Sequence, residues 1–248
     1  MTDFCRDDDM GYARARTHFR PGTGLTLDET YRLAHLPLVA PDHRDVIARK
    51  HGADYKMGVH ARVWSLVLPV PSDALEASTA YRALTHELRS SPFAAKIAWD
   101  MVARRRGKWH VTLCGGLARG ETPPTLDESQ RRALLEIGTF EVDLRGLFSG
   151  NVNVGRLYLP AFPERRDGGN VIHRVQLACS SRATDLHVAG LWNLVDHLDA
   201  AEADALARLI ARWRDVPILR LQARDLWLMG ARDDLVLDAR MAETVTLG

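Results

Sequence analysis

Apolar and polar positions alternate along this chain with two different periods, and the switches between them mark its elements. Val63-Trp-Ser-Leu-Val-Leu68 is a run of bulky and β-branched residues stopped by Pro69 and Pro71, which predicts a strand. Ser72 or Asp73 then caps a helix in which Ala77, Tyr81, Leu84 and Leu88 recur at helical spacing. Trp109-His-Val-Thr-Leu113 returns to strand alternation. Thr125-Leu-Asp-Glu128 has the form of a capping box and opens a helix reaching about Ile137. Thr139 to Leu147 and Asn153 to Leu159 read as strands joined by a Ser-Gly-Asn turn, and Val171 to Ser181 as a helix.

The order then recurs. Leu186-His-Val-Ala-Gly190 is a second strand carrying a histidine. Asp199 with Glu202 caps a helix with Leu206, Leu209, Ile210 and Trp213 on one face. Ile218 to Met229 and Leu235 to Ala239 read as strands around a Gly-Ala-Arg-Asp turn. Strand, helix, histidine strand, capped helix and strand pair thus occur twice. This predicts an α+β fold: a bilobal duplicated unit whose two mainly antiparallel sheets face a central cleft, with helices outside. Residues 58–248 form that domain, and residues 1–57, lacking sustained periodicity, form an irregular N-terminal arm with one short helix around Asp42 to His51.

Composition narrows the function. The 33 Lys and Arg nearly balance the 32 Asp and Glu over 248 residues, so no overall field calls for an extended polyanion such as a DNA duplex. A nucleotide or RNA end in a local pocket is compatible with that balance. Cys5, Cys114 and Cys179 have no CxxC spacing and make an odd count, which argues against a disulfide framework or structural zinc and fits a reducing cytoplasm. The acidic N-terminus is not a secretory signal, and the Val63 to Val70 stretch is far too short to span a bilayer.

The chemistry lies in the two histidine strands. On a strand, alternate side chains share a face. Trp109, Val111 and Leu113 are read as the packed face of the first, leaving Lys108, His110 and Thr112 on the other. In the second, Leu186, Val188 and Gly190 are read as packed, leaving His187 and Ala189 opposite. His110 and His187, 77 residues apart, would then face one cleft from the two lobes. Imidazole titrates near neutral pH, so one ring can accept a proton while its partner donates one, as transfer at phosphorus requires.

These residues resemble the 2H phosphoesterase superfamily, which includes cyclic phosphodiesterases and 2′-5′ RNA ligase-like proteins and is named for two His-x-Thr/Ser motifs on strands of a duplicated lobe. His110-Val-Thr112 matches the first motif in full. His187-Val-Ala189 keeps only the histidine of the second, so that motif is degenerate. The resemblance covers roughly residues 62–247. It implies a cytoplasmic hydrolase that needs no metal or other cofactor and acts on a 2′,3′-cyclic phosphate, a 2′-5′ linkage or a related small phosphodiester. His110 and His187 would be the catalytic acid/base pair, and Thr112 would donate to a phosphate oxygen. The alternative is a degenerate member that binds nucleotides or RNA ends with little or no catalysis, a reading that Ala189 favours. Losing one hydrogen bond to a charged group costs about 1.5–3 kcal/mol, roughly ten- to a hundred-fold in rate if it acts in the transition state.

Arg104-Arg-Arg-Gly-Lys108 is a basic turn entering the first histidine strand, and Lys108, expected on the face of His110, is the candidate second phosphate ligand. His173 and His197 read as polar-face or rim residues. His35, His43 and His51 lack the spacing of a metal site. Trp192, Tyr158 and Trp227 are candidates for stacking on a base, but Tyr158 and Trp227 lie in strands at related places in the two halves, where core packing is the stronger explanation.

Overall fold

The computed structural model describes residues 2–248. Its strands in chain order are β1 (Val59–Pro69), β2 (His110–Arg119), β3 (Phe140–Arg145), β4 (Phe148–Ser149), β5 (Arg156–Pro163), β6 (Arg165–Arg166), β7 (Gly169–Asn170), β8 (Val188–Asn193), β9 (Pro217–Ala223), β10 (Asp225–Asp233) and β11 (Ala239–Thr246). The helices are α1 (Tyr12–Ala15), α2 (Glu29–Ala34), α3 (Leu36–Val39), α4 (Ser72–Ala77), α5 (Thr79–Arg89), α6 (Trp99–Arg104), α7 (Glu128–Ile137), α8 (Val171–Ala178) and α9 (Ala200–Trp213).

The fold is α+β. Its strongly curled antiparallel sheet runs in the order β11-β10-β1-β2-β8-β5-β3-β9, with β4 on β5 and a separate β6-β7 hairpin. It consists of two four-stranded halves that meet along β2 and β8, where the ladder holds through the pair Val111↔Ala189. These halves are the two sheets expected from the repeat. The main apolar core runs beneath both: Leu68, Val111, Leu159 and Ala189 belong to one cluster.

The duplication shows in the register. Leu68 pairs with Val111 and Pro69 with His110 in one half. Leu159 pairs with Ala189 and Pro160 with Val188 in the other. An approximate two-fold axis through the Val111–Ala189 pair therefore exchanges His110 with Val188 and Thr112 with Gly190.

Several boundaries differ from expectation for identifiable reasons. The helix expected from Ser72 divides into α4 and α5, because the Ser78 hydroxyl caps the second by accepting from Tyr81 N. The cap of α7 is Asp127, paired reciprocally with Gln130, two residues beyond the expected box. The Asp199–Glu202 box is present as read. The single strand read over Ile218 to Met229 breaks at Arg224 into β9, which pairs with β3, and β10, which pairs with β1 in the opposite half. Gly230, read as a turn residue, lies inside β10. A Cβ there would meet the Trp64 ring at 2.7 Å, so glycine serves a close approach. The turn comes at residues 234–238, whose amides at Leu235, Leu237 and Asp238 donate to the Asp233 carboxylate.

The N-terminal segment is tied to the fold residue by residue. Tyr12 is fully buried, its hydroxyl 2.6 Å from Ala161 O and 2.7 Å from His187 O. Tyr31 donates to Leu194 O, and Leu25 exchanges backbone hydrogen bonds with Leu198. No helix forms over residues 42–51, which run as turns. The helices lie earlier, with Asp28 accepting from Tyr31 N at the start of α2. Among the described residues, the cysteines are free and buried, and no helix is long and apolar enough to cross a membrane.

Candidate functional site

Where the halves curl around the seam they leave a cavity of about 270 Å³. β1 contributes Val63, Ser65 and Val67; β10 contributes Met229, Ala231 and Asp233; β2 contributes His110 and Thr112. The other half supplies Arg156, Tyr158, Leu186, Val188 and Gly190, His60 joins from the start of β1, and Arg105, Asp234 and Val236 complete the wall.

β2 presents its side chains as the alternation predicts. Trp109, Val111 and Leu113 are buried in the core, while His110 and Thr112 face the cavity. The His110 ring is fixed by its own strand entry: Nδ1 is 2.9 Å from Lys108 O, a carbonyl that can only accept. Nδ1 therefore carries the proton and Nε2 is left as an acceptor. Burial pushes the His110 pKa down to about 4; the Lys108 carbonyl opposes this, and the cations Arg105 and Arg156 add to it. At neutral pH the ring is an uncharged base.

β8 has the opposite parity to that expected. Leu186, Val188 and Gly190 line the cavity, whereas His187 and Ala189 are buried on the other face, 1% and 0% exposed. The cause is the pair Val111↔Ala189. Directly opposed residues of an antiparallel pair share a face, so Ala189 joins Val111 in the core and carries His187 with it. His187 is accommodated there by backbone: its ring nitrogens lie 2.9 Å from Thr184 O and 3.3 Å from Thr112 O. Burial lowers its pKa, against the pull of those two carbonyls. The structure thus brings His110 and Thr112 together and leaves His187 outside their cavity. Alternation alone was ambiguous, since Ala189 through Asn193 are buried on both faces.

Lys108 is also placed elsewhere. Its ammonium donates to Leu237 O at 2.8 Å and does not line the cavity. Within the same basic turn, Arg105 is the residue that enters. It is 1% exposed and spends Nε, Nη1 and Nη2 on the carbonyls of Leu235, Leu191 and Gly190. This lashes the 234–238 turn to β8. Desolvation, helped by Arg156, lowers its pKa to about 9, which still leaves it charged at neutral pH.

Sequence reasoning missed Arg156, Arg105, His60 and Asp234. Arg156 Nη1 donates to Asp234 O at 2.9 Å, and its guanidinium lies 5.5 Å from the Tyr158 ring centroid. His60 holds Ala61 O through Nδ1 at 2.7 Å and the Asp234 carboxylate through Nε2 at 3.3 Å. That carboxylate, which also accepts from Tyr55 at 3.1 Å, raises the His60 pKa. Burial alone would raise the pKa of Asp234, but the His60 hydrogen bond and neighbouring positive charge outweigh it and hold the acid at about 2. None of these residues belongs to a spaced motif; the signal was the chemistry-bearing pairs Arg156-x-Tyr158 and Asp233-Asp234 beside strand ends.

Of the remaining candidates only Tyr158 lines the cavity. His173 pairs with Asp185 at 2.8 Å and His197 with Asp45 at 2.8 Å. His35 is buried 3.8 Å from Asp234, His43 bonds Asp196, and His51 is exposed. Trp192 stacks on Tyr81 in the core, while Tyr158 lines the cavity.

No family model and no curated protein matches this chain. Among solved structures it is similar to LigT of E. coli in apo form, with 14% identity, 76% of this chain and 98% of that chain covered, and a TM-score of 0.38. It is also similar to TT0787 of Thermus thermophilus, with 14% identity, 75% and 97% covered, and a TM-score of 0.36.

Proposed function

We propose that this protein is a degenerate 2H-type phosphoesterase whose cavity binds the phosphate of a nucleotide or RNA end, and in which, of the two motif histidines, only His110 meets the ligand. The observation that carries this reading is the face shared across the seam: β2 offers His110 and Thr112 to the cavity, and β8 offers Val188 and Gly190. The first half retains a neutral base and a hydroxyl donor. The second half retains the position but not the chemistry. A phosphate in the cavity would receive a hydrogen bond from Thr112 and have His110 Nε2 available to take a proton from an attacking oxygen. Nothing on β8 would protonate the leaving oxygen, a role worth about 10²–10⁴-fold when a positioned group performs it.

Calorimetric titration with 2′,3′-cyclic AMP and 3′-AMP, beside a turnover assay in EDTA, tests this. Saturable binding with turnover far below about 1 s⁻¹, the low end of ordinary enzyme rates, is the expected result. Turnover at ordinary rates in EDTA would overturn the loss of the second proton-transfer group. Activity abolished by chelator and restored by a divalent metal would make the protein a metallohydrolase, and absence of binding would overturn the ligand class.

A further inference from the structure

The two arginines of the cavity wall are spent inside the protein. Arg105 gives all three guanidinium nitrogens to backbone carbonyls. Arg156 gives Nη1 to Asp234 O and packs the rest of its guanidinium on Gly190, where a Cβ would meet Nη2 at 2.5 Å and Cζ at 2.7 Å. Free positive charge lies next door. His60 is shared between the cavity and a second pocket of about 350 Å³, whose wall carries Arg49, Lys56 and Arg232. Tyr55 joins the two spaces again: it lines the second pocket, and its hydroxyl donates to Asp234 in the wall of the first.

The placement of these cations is costly for the free protein. Arg49 and Lys56 oppose each other in an antiparallel bridge, and both are exposed. Directly opposed residues put their side chains on one face, where like charges are destabilising. Neither forms an ion pair among the described residues; the nearby Glu29 is held instead by Lys50 at 2.7 Å. Asp54, which also lines the pocket, sits 3.3 Å from Arg119 Nη1 and accepts from Ala61 N. Arg232 reaches Asp238 only at 3.9 Å, and Arg62 already holds that carboxylate at 3.1 Å. The pocket thus gathers three cations against one engaged carboxylate, in a chain whose overall charge is nearly balanced. An anion between Arg49 and Lys56 would turn their repulsion into attraction.

Resting on the proposed phosphate-binding reading, we infer that this basic pocket is the subsite for a second phosphate, so that the ligand is the end of a single-stranded oligonucleotide and not a mononucleotide. The terminal phosphate faces His110 and Thr112. The neighbouring phosphodiester lies past His60, between Arg49 and Lys56, with Arg232 beside it. Contacts of this kind position a strand without reading its bases, so the subsite selects for length and not for sequence. It also gives the N-terminal arm a part in binding, since residues 49–56 supply two of the three cations.

Calorimetric titration with the mononucleotides 3′-AMP and 5′-AMP, and with their extended counterparts ApAp and pApA, tests the subsite. The wild type should bind at least one extended ligand about tenfold or more tightly than its mononucleotide. The salt dependence of that ligand should be steeper by about 0.7 in log Kd per log salt for the added phosphate, a readout that stands if a variant does not fold. Arg49→Glu and Lys56→Glu, both at exposed positions, should each weaken the extended ligand by roughly ten- to a hundred-fold and leave the mononucleotides within a few-fold. Wild-type protein that binds both lengths alike, or folded variants that keep the preference for length, would overturn the subsite while leaving the cavity as a phosphate site. Extended ligands whose binding needs Arg49 and Lys56 but is untouched by Thr112→Ala would support the basic pocket and overturn the cavity reading. No binding of any probe would overturn both.

Discussion

β2 and β8 occupy equivalent places on the two sides of the seam, yet they send their histidines in opposite directions. In β2 the hydrogen-bond register agrees with the apolar pattern, so His110 and Thr112 reach the cavity. In β8 the residue that matches His110 by symmetry is Val188, and His187 sits one residue earlier on the core face. The offset relating the two strands is 78 residues, whereas the histidines stand 77 apart. A shift of one residue reverses every side chain of a strand. Two segments that read alike as text are therefore different as sites: one holds a base, and the other has ceded its place to a valine, a glycine and the arginine that fills the space above the glycine.

The largest expected effects break the comparison directly. His110→Ala should abolish most residual turnover of a cyclic phosphate, a loss of about 10²–10⁴-fold if His110 is the general base. His187→Ala should leave ligand affinity within a few-fold and instead lower stability, by about 1–3 kcal/mol for the backbone carbonyl that loses its imidazole donor. Steady-state kinetics and urea unfolding on both variants would separate the roles. A His187→Ala protein that keeps its stability and loses turnover would reverse the assignment.

A gain-of-function pair sharpens the same point. Val188→His places an imidazole at the two-fold equivalent of His110 and should raise cyclic-phosphate hydrolysis by up to about 10²–10⁴-fold. Ala189→Thr completes the His-x-Thr text of the second segment but adds a hydroxyl to a core-facing residue with no exposure. It should give no activity and cost about 1–3 kcal/mol through overpacking and polar burial. Activity restored by Ala189→Thr and not by Val188→His would mean that β8 has the other parity.

The pH dependence of stability is a smaller effect. His110 falls to about 4 from its ordinary 6.5 because it is buried, and His187 shifts in the same direction for the same reason. Between those values these groups bind more protons in the unfolded chain than in the folded one, so their contribution to stability is full above about pH 6.5 and declines as pH falls toward 4; the buried His35, lowered to about 3, acts in the same sense, and His60, raised by Asp234, in the opposite one. Urea midpoints at pH 7 and pH 5 should show this decline. His110→Gln should flatten it in part, and a slope unchanged by that variant would place the titration elsewhere.

Most of the fold was legible because its elements carry strong local signals. The β1 run closed by Pro69, the amphipathic stripe of α9 and its Asp199 cap all follow from spacing and capping chemistry. The repeated order of elements conveyed the duplicated sheet. What local signals do not carry is pairing. Arg224 looks like any strand residue, and only the long-range ladder shows that β9 and β10 part there toward opposite halves. The parity of β8 was hidden for the same reason: flanked by apolar residues on both faces, it is oriented by its contact with Val111. His110 and Thr112 were readable because β2 has one packed face and one open face. Arg156 and Arg105 were not, since their roles depend on a glycine and on carbonyls contributed by distant segments. The arm's anchors, Tyr12 and Tyr31, act singly through their hydroxyls and leave no period to detect.

The central claim is that, of the two motif histidines, His110 faces the ligand and His187 does not. Long-range ¹H–¹⁵N spectra of the histidine rings, recorded while 3′-AMP is titrated into the wild-type protein near neutral pH, test it most directly. The His110 ring should shift, with its Nε2 moving toward the protonated position as phosphate binds beside it, while the His187 nitrogens stay where they were. Equal movement of both rings, or movement of His187 alone, would contradict it.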